Sequence, residues 1–380
     1  VKSLPPLSLY IHIPWCEQKC PYCDFNSHAR KGVIPEAQYI EALLEDLATD
    51  LPLAGARPVH SIFIGGGTPS LISPAGIKRL LDGTKALLPW RDDCEVTMEA
   101  NPGTLEADRF RPYREAGVNR LSVGVQSFQQ DKLQILGRIH GADEARRAAT
   151  EARKAGFERF NLDLMHTLPN QTVSDALYDL AQAIELAPPH LSWYQLTIEP
   201  NTQFASRPPQ LPDEDTQWAI FEQGKAMLEA AGYRQYEISA WAKPGYQCEH
   251  NLNYWRFGDY LGIGCGAHGK LTQADGKILR TVKVKHPQGY LDLSRAYLDE
   301  QTEVAAEDQA LEYYMNRLRL LEPMPLSELS ERTNLSAADV AKPLDWAQQR
   351  GLIQRDDVQM QLTDLGHRYL NELLGQFLPD

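Results

Sequence analysis

Residues 7–25 read Leu7-Ser8-Leu9-Tyr10-Ile11-His12-Ile13-Pro14-Trp15-Cys16-Glu17-Gln18-Lys19-Cys20-Pro21-Tyr22-Cys23-Asp24-Phe25. The stretch up to Ile13 is short, apolar and closed by Pro14, which is how a buried strand reads. Three cysteines follow within eight residues, spaced Cys-x3-Cys-x2-Cys. The whole chain has six cysteines in 380 residues, too few for a disulfide scaffold. In a reducing compartment this clustering points to ligation of a metal or a cluster. Thiolates are soft ligands that suit iron–sulfur clusters. Cys16, Cys20 and Cys23 would hold three irons of a [4Fe–4S] cluster and leave the fourth open. A structural zinc site is the competing assignment. It takes four protein ligands, and no fourth Cys or His follows at short spacing, His28 being the nearest.

Outward from this loop, strand-like and helix-like segments alternate up to about residue 240. Strands are predicted at 7–13, 61–64, 95–98, 120–125, 159–164 and 190–197, each bounded by turn residues. Amphipathic segments such as 35–51, 74–88 and 174–186 lie between them. Alternating βα units imply a parallel sheet covered by helices. About six units fit, so the α/β fold expected is a partial (β/α)6 TIM-type barrel over residues 1–240, with an open doubly wound sheet as the alternative. Residues 241–300 are rich in Gly, aromatic and polar residues, and are expected to be a loop-rich segment closing one end of the barrel. Residues 301–380 form a separate, mostly helical domain in which 326–374 read helix, turn, helix, hairpin, helix, as a winged helix does.

Charge narrows the partners. The formal net charge is −13, which disfavours general nucleic-acid binding. Residues 300–380 carry 7 Lys and Arg against 15 Asp and Glu, a net of −8. The expected second helix of the winged unit, 337–350, offers only Lys342 and Arg350, and Pro343 interrupts it. A structural or protein-docking role is therefore expected for this domain, with no nucleic acid. No segment approaches the roughly 20 apolar residues of a membrane span, and residues 1–9 show no secretory signal. The expected location is cytoplasmic, with peripheral membrane association allowed.

The other motifs extend the cluster reading. An open iron can take a chelating ligand such as S-adenosylmethionine (SAM), whose methionyl amine and carboxylate both bind it. An electron from the cluster then cleaves a carbon–sulfur bond to give a 5′-deoxyadenosyl radical. Tyr22 is placed to pack against adenine. Gly65-Gly66-Gly67-Thr68 ends a strand where barrel sites lie, and glycines there let a ligand approach the backbone; a plain turn is the alternative. Glu99, Gln126 and Asp163 are single polar residues ending otherwise apolar strands. Each alone reads as a satisfied buried polar group, but together they would point into the barrel mouth. Glu99 could accept from ribose hydroxyls, and Arg138 could pair with a carboxylate. Cys94, inside a predicted strand, belongs to the core.

The joint set CEQKCPYC (16–23), GGGTPS (65–70), MEANPG (98–103), GVQSF (124–128), LGRIH (136–140) and NLDLMHTLP (161–169) resembles the HemN/HemW branch of radical SAM proteins over nearly the whole chain. The branch contains an oxygen-independent coproporphyrinogen III dehydrogenase and heme chaperones. The resemblance implies cluster ligation by Cys16, Cys20 and Cys23, and SAM contacts at Tyr10, Gly66, Gly67, Thr68, Glu99, Gln126, Arg138 and Asp163. Gln126, Arg138 and Asp163 resemble positions lining a second SAM site in the dehydrogenase, so one or two SAM molecules are expected. Two departures favour the chaperones: Phe25 stands where the dehydrogenase has a further Cys, and only nine residues precede Tyr10, where the dehydrogenase has a long extension.

His250-Asn251-Leu252-Asn253-Tyr254-Trp255 matches the HNxxYW motif of the chaperones, associated with heme. His250 is the expected axial ligand, since a neutral imidazole binds iron well. Tyr254 and Trp255 would lie against the porphyrin and Arg256 would pair with a propionate. Cys248 and the segment Cys265–His268 are alternative ligands, and a polar loop packing its aromatics on the barrel is the plain alternative. The implied function is heme delivery to respiratory-chain heme proteins, with the decarboxylating dehydrogenase as the rival. Homodimer formation is compatible with it.

Overall fold

The computed structural model describes residues 3–380. Six parallel strands form the centre of one large sheet: β1 (Leu7–Ile13), β2 (Val59–Gly66), β3 (Trp90–Ala100), β4 (Arg120–Gln126), β5 (Arg159–His166) and β6 (His190–Gln195). They follow chain order, as successive βα units dictate. β1 is buried along nearly its whole length, as expected of a strand covered on both faces. The helices between them include α1 (Glu36–Ala54), α2 (Pro74–Leu87), α3 (Ala142–Lys154) and α4 (Val173–Leu186). α3 shows why they pack: Ala145, Ala148, Ala149 and Ala152 make one buried stripe at helical spacing. α4 starts at Thr172, whose hydroxyl accepts from the Asp175 N–H while Asp175 accepts from the Thr172 N–H.

The sheet does not stop at six strands. After α5 (Glu214–Ala230) the chain adds β7 (Arg234–Glu237) and β8 (Ala240–Ala242) at the β6 edge. A short helix, α6 (Glu249–Trp255), then carries the chain to the other edge. There β9 (Asp259–Ile263) pairs parallel to β1, and β10 (His268–Thr272), β11 (Ile278–Lys283) and β12 (Leu298–Glu303) continue antiparallel. The order is β12-β11-β10-β9-β1-β2-β3-β4-β5-β6-β8-β7, open at both ends.

Residues 241–300 are thus not the loop-rich cover the composition suggested. Two of their glycines mark close packing of strand and helix. A Cβ on Gly262 would fall on the His268 backbone of the neighbouring strand, and one on Gly258 would fall on the Asn253 side chain. Buried ions tie the added strands down. Lys283 on β11 binds Asp46 and Asp50 of α1, the latter at 2.7 Å, and Lys270 on β10 binds Asp259 at 2.9 Å.

The C-terminal domain has its own core around Tyr313, Leu329, Leu344, Ile353 and Leu373. α7 (Ala306–Arg317) precedes β13 (Met324–Pro325), the helix Glu328–Arg332, α8 (Ala337–Gln349) and a hairpin of β14 (Ile353–Arg355) and β15 (Gln359–Leu362). This is the winged-helix arrangement. Pro343 does not interrupt α8: the helix runs through it, with Val340, Leu344 and Ala347 buried on either side. Their packing outweighs the lost backbone hydrogen bond. Among the described residues no helix is long and apolar enough to cross a membrane.

Candidate functional site

The carboxyl ends of the parallel strands open on a cavity of about 460 Å³. Cys16, Cys20 and Cys23 all line it. The loop that carries them is folded by its own backbone. Trp15–Cys16 pairs with His28–Ala29, the Cys23 N–H donates to the Cys20 carbonyl at 3.0 Å, and the Arg30 N–H donates to the Cys16 carbonyl at 2.8 Å. Burial raises the Cys16 thiol pKa, and the neighbouring Cys23 and Cys20 add to the rise. Among the described residues no three His, Cys, Asp or Glu side chains converge where one metal ion would sit. Three thiols on one loop lining a cavity suit a polynuclear cluster with one open iron.

The glycine run serves this loop first. Gly66 has φ of 118°, and a Cβ there would meet the Ile13 carbonyl at 2.6 Å. A Cβ on Gly67 would overlap the Trp15 carbonyl. The close approach lets the Gly67 and Thr68 N–H groups donate to the Ile13 and Trp15 carbonyls, each at 2.7 Å. Both glycines and Thr68 also line the cavity.

Glu99, Gln126, Arg138 and Asp163 converge on the same cavity. Burial lifts the Glu99 carboxyl to about 8, with the Asp163 charge adding and a hydrogen bond from the Gly66 backbone opposing. Arg138 donates to Asn101 Oδ1 at 2.7 Å and to the Gly124 carbonyl at 2.8 Å, and lies 3.8 Å from Cys20 Sγ. Asn101 also donates to Thr68 Oγ1 at 3.4 Å, so it bridges two of the expected positions. Gln126 sits at φ of 70°, the left-handed region that strains a residue with a side chain. The Tyr194 hydroxyl donates to its Oε1 at 2.7 Å.

Below this rim lies a polar floor that the sequence reading missed. Asn161 donates to Ser122 Oγ at 3.0 Å and to Asp163 Oδ1 at 2.8 Å. Its own carbonyl oxygen contacts His190 Nδ1 at 2.7 Å and Ser192 Oγ at 3.1 Å. A signal was present: Arg120 and Ser122, Asn161 and Asp163, and His190, Ser192 and Tyr194 alternate at the two-residue period that puts them on one face of a strand.

Tyr10 does not line this cavity. It stacks on Phe63, which does, with ring centroids 6.4 Å apart, and its hydroxyl bonds His12 Nδ1 at 2.9 Å. Tyr10 faces instead a second cavity of about 480 Å³, open to the surface. Asp24 and Phe25 of the cysteine loop line both cavities.

The segment 250–255 is helix, not loop, and His250 is not displayed as a ligand. It is fully buried, with Nδ1 bonded to Ser61 Oγ at 2.9 Å and Nε2 to the Tyr254 hydroxyl at 2.8 Å. Burial lowers its pKa to about 3, so it is neutral. Glu95 on β3 explains why α6 enters the barrel: its carboxylate accepts from the Glu249 and His250 N–H groups at 3.1 and 3.2 Å. Asn253 donates to Ser8 Oγ at 3.0 Å. Asn251 lines the first cavity, while Tyr254 and Trp255 line the second. Trp255 Nε1 donates to Glu237 at 2.7 Å. Arg256, expected to meet a propionate, is held by both oxygens of Glu322 at 2.9 Å. Cys248 and Cys265 are buried thiols pushed up to about 12, and Cys94 is in the core.

A partial (β/α)6 barrel, with a Cys-x3-Cys-x2-Cys loop facing a polar cavity at the carboxyl end of its strands, defines a radical SAM protein. Residues 10–181 match the Radical SAM superfamily and residues 304–369 the HemN C-terminal domain. The chain is 60% identical over 379 residues to the heme chaperone HemW of Escherichia coli, covering 100% of both chains. It is 58% identical to the heme chaperone HemW of Haemophilus influenzae, covering 100% of this chain and 99% of that one. The chain belongs to the HemW family. The structure of coproporphyrinogen III oxidase (HemN) from Escherichia coli, described as a radical SAM enzyme, superposes with a TM-score of 0.82 at 25% identity, over 98% of this chain and 90% of that one. Membership in the superfamily implies a [4Fe–4S] cluster and SAM.

Proposed function

We propose that this chain is a radical SAM heme chaperone: it binds heme and SAM and delivers heme to respiratory heme proteins, from the cytoplasm or its membrane face. The observation that carries this reading is identity of 60% along the full chain to a protein named a heme chaperone. Phe25, in place of a further Cys, and the surface-open second cavity beside it support the reading over coproporphyrinogen decarboxylation.

Cys16, Cys20 and Cys23 would hold the cluster, which when bound would supply one-electron reductive chemistry toward SAM. Gly66, Gly67 and Thr68 form the backbone wall of the SAM site. Glu99 accepts from the ribose, and Arg138, Gln126 and Asp163 complete the polar rim of a site for one or two SAM molecules. Tyr10, stacked on Phe63 and close enough to Glu99 to feel its charge, supports the SAM site from behind the cavity wall. The acidic winged-helix domain docks a protein and not nucleic acid.

The test is anaerobic reconstitution followed by heme titration, heme transfer to apo-forms of respiratory heme proteins, and assay with coproporphyrinogen III and reductant. Heme binding and transfer, with no decarboxylation, are expected. Multiple turnovers of coproporphyrinogen III with no heme affinity would overturn the proposal in favour of the dehydrogenase.

A further inference from the structure

The second cavity lies where α6, the start of β10 and α7 meet the outer face of the cysteine loop. Its lining carries an aromatic group, Tyr254, Trp255, Phe257, Tyr260 and Phe25, among polar residues and glycines. Phe25 is 65% exposed, a large apolar side chain held at the surface beside a cavity. Flat aromatic walls with cationic groups at the edge suit a planar, apolar ring bearing carboxylates. Arg280 lines the cavity, part-exposed, and is shared with Tyr260 and Glu312.

Two histidines face this space, and they differ. His12 has both ring nitrogens engaged, by the Tyr10 hydroxyl at 2.9 Å and the Asn26 carbonyl at 2.7 Å. His268, at the first position of β10, is exposed, and its ring has no hydrogen-bond partner among the described residues. Partial burial and the charges of Lys285 and Arg280 lower its pKa, which keeps the imidazole neutral and its lone pair available. The other donors singled out by the sequence are withdrawn. His250 is buried with both nitrogens bonded, Cys248 is fully enclosed, and Cys265 donates to the Lys285 carbonyl at 2.9 Å.

We propose that the second cavity is the heme site and that His268 supplies the axial nitrogen, with Phe25, Tyr254 and Tyr260 against the macrocycle and Arg280 at a propionate. This rests on the reading that the chain carries heme. His250 is then a positioning residue, fixing α6 and with it the Tyr254 wall. The cavity's surface opening suits a cargo that must leave again.

The test titrates ferric heme into the full-length, cluster-reconstituted protein and three variants. His268→Ala is expected to weaken binding by about ten-fold or more, since even loss of a second-shell group costs a metal site that much. His268→Cys is expected to retain heme but exchange the imidazole-ligated Soret and electron paramagnetic resonance spectra for those of a thiolate. His250→Ala is expected to keep a histidine-ligated spectrum. Iron and sulfide content reports folding of each variant. If wild-type protein binds heme and the His268→Cys spectrum is identical to it, this assignment is overturned while the chaperone reading stands. The same holds if His250→Ala alone removes the imidazole signature. If wild-type protein binds no heme, both fall.

Discussion

Glu99 carries a charge whose cost depends on what fills the cavity. In the ligand-free protein its carboxyl is lifted to about 8, burial being the main cause. The unfolded chain would lose that proton near the ordinary carboxylate value, so the folded state holds more protons in between. Stability of the ligand-free protein should therefore fall as pH rises from about 4.5 to about 8. SAM reverses the balance, because its sulfonium and ribose hydroxyls favour the carboxylate. SAM binding at pH 7 should release a proton, and affinity should climb with pH and level off above about 8. A charge-assisted hydrogen bond contributes about 1.5–3 kcal/mol, so Glu99→Gln should bind SAM about ten- to a hundred-fold more weakly above that pH and release no proton. Calorimetry in buffers of different ionisation enthalpy reads both. A wild-type affinity flat across pH 6–8.5 would remove Glu99 from the SAM site.

α6 shows how a seven-residue helix becomes a structural element only by tertiary capping. It has no local side-chain cap at Cys248. Its first N–H groups donate to Glu95, 154 and 155 residues away in sequence. A helix this short is unstable alone, so its order depends on that carboxylate and on the anchors of His250, Asn253 and Trp255. Glu95→Ala orphans two backbone donors and removes the carboxylate 4.0 Å from Arg159. The expected loss is about 3 kcal/mol, read as a lower urea midpoint. Amide exchange should accelerate most in 249–255. Unchanged exchange there would mean that the other anchors suffice.

At the scale of the molecule, the cysteine loop is a shared wall. Asp24 and Phe25 face both cavities, so loss of the cluster should be felt in each. Replacing Cys16, Cys20 and Cys23 together by Ser should remove iron and sulfide while the sheet stays folded, since its core does not involve Cys20 or Cys23. Heme binding should weaken without vanishing, because the other walls come from α6 and β10. Full iron and sulfide in the triple variant would exclude these cysteines as ligands. The C-terminal domain is joined to the sheet through Arg256, Glu322 and Arg317, with Arg317 buried and bonded to Glu328 at 2.7 Å.

Much of this was legible in the chain alone. The six parallel strands, their order and the cysteine loop follow from apolar periodicity, turn residues and thiol spacing, which are local properties. The polar residues at strand ends were legible for the same reason, since a strand's period fixes which face each side chain takes. What sequence could not decide are the choices made between distant segments. Glycines in 241–300 read as loop until strands are seen pressed against them. Pro343 reads as a break until its neighbours are seen buried. His250 and His268 look alike as histidines near aromatics, yet one is sealed by Ser61 and Tyr254 and the other stands open beside a cavity. Availability of a lone pair depends on burial and on hydrogen-bond partners, and those exist only once the chain is folded.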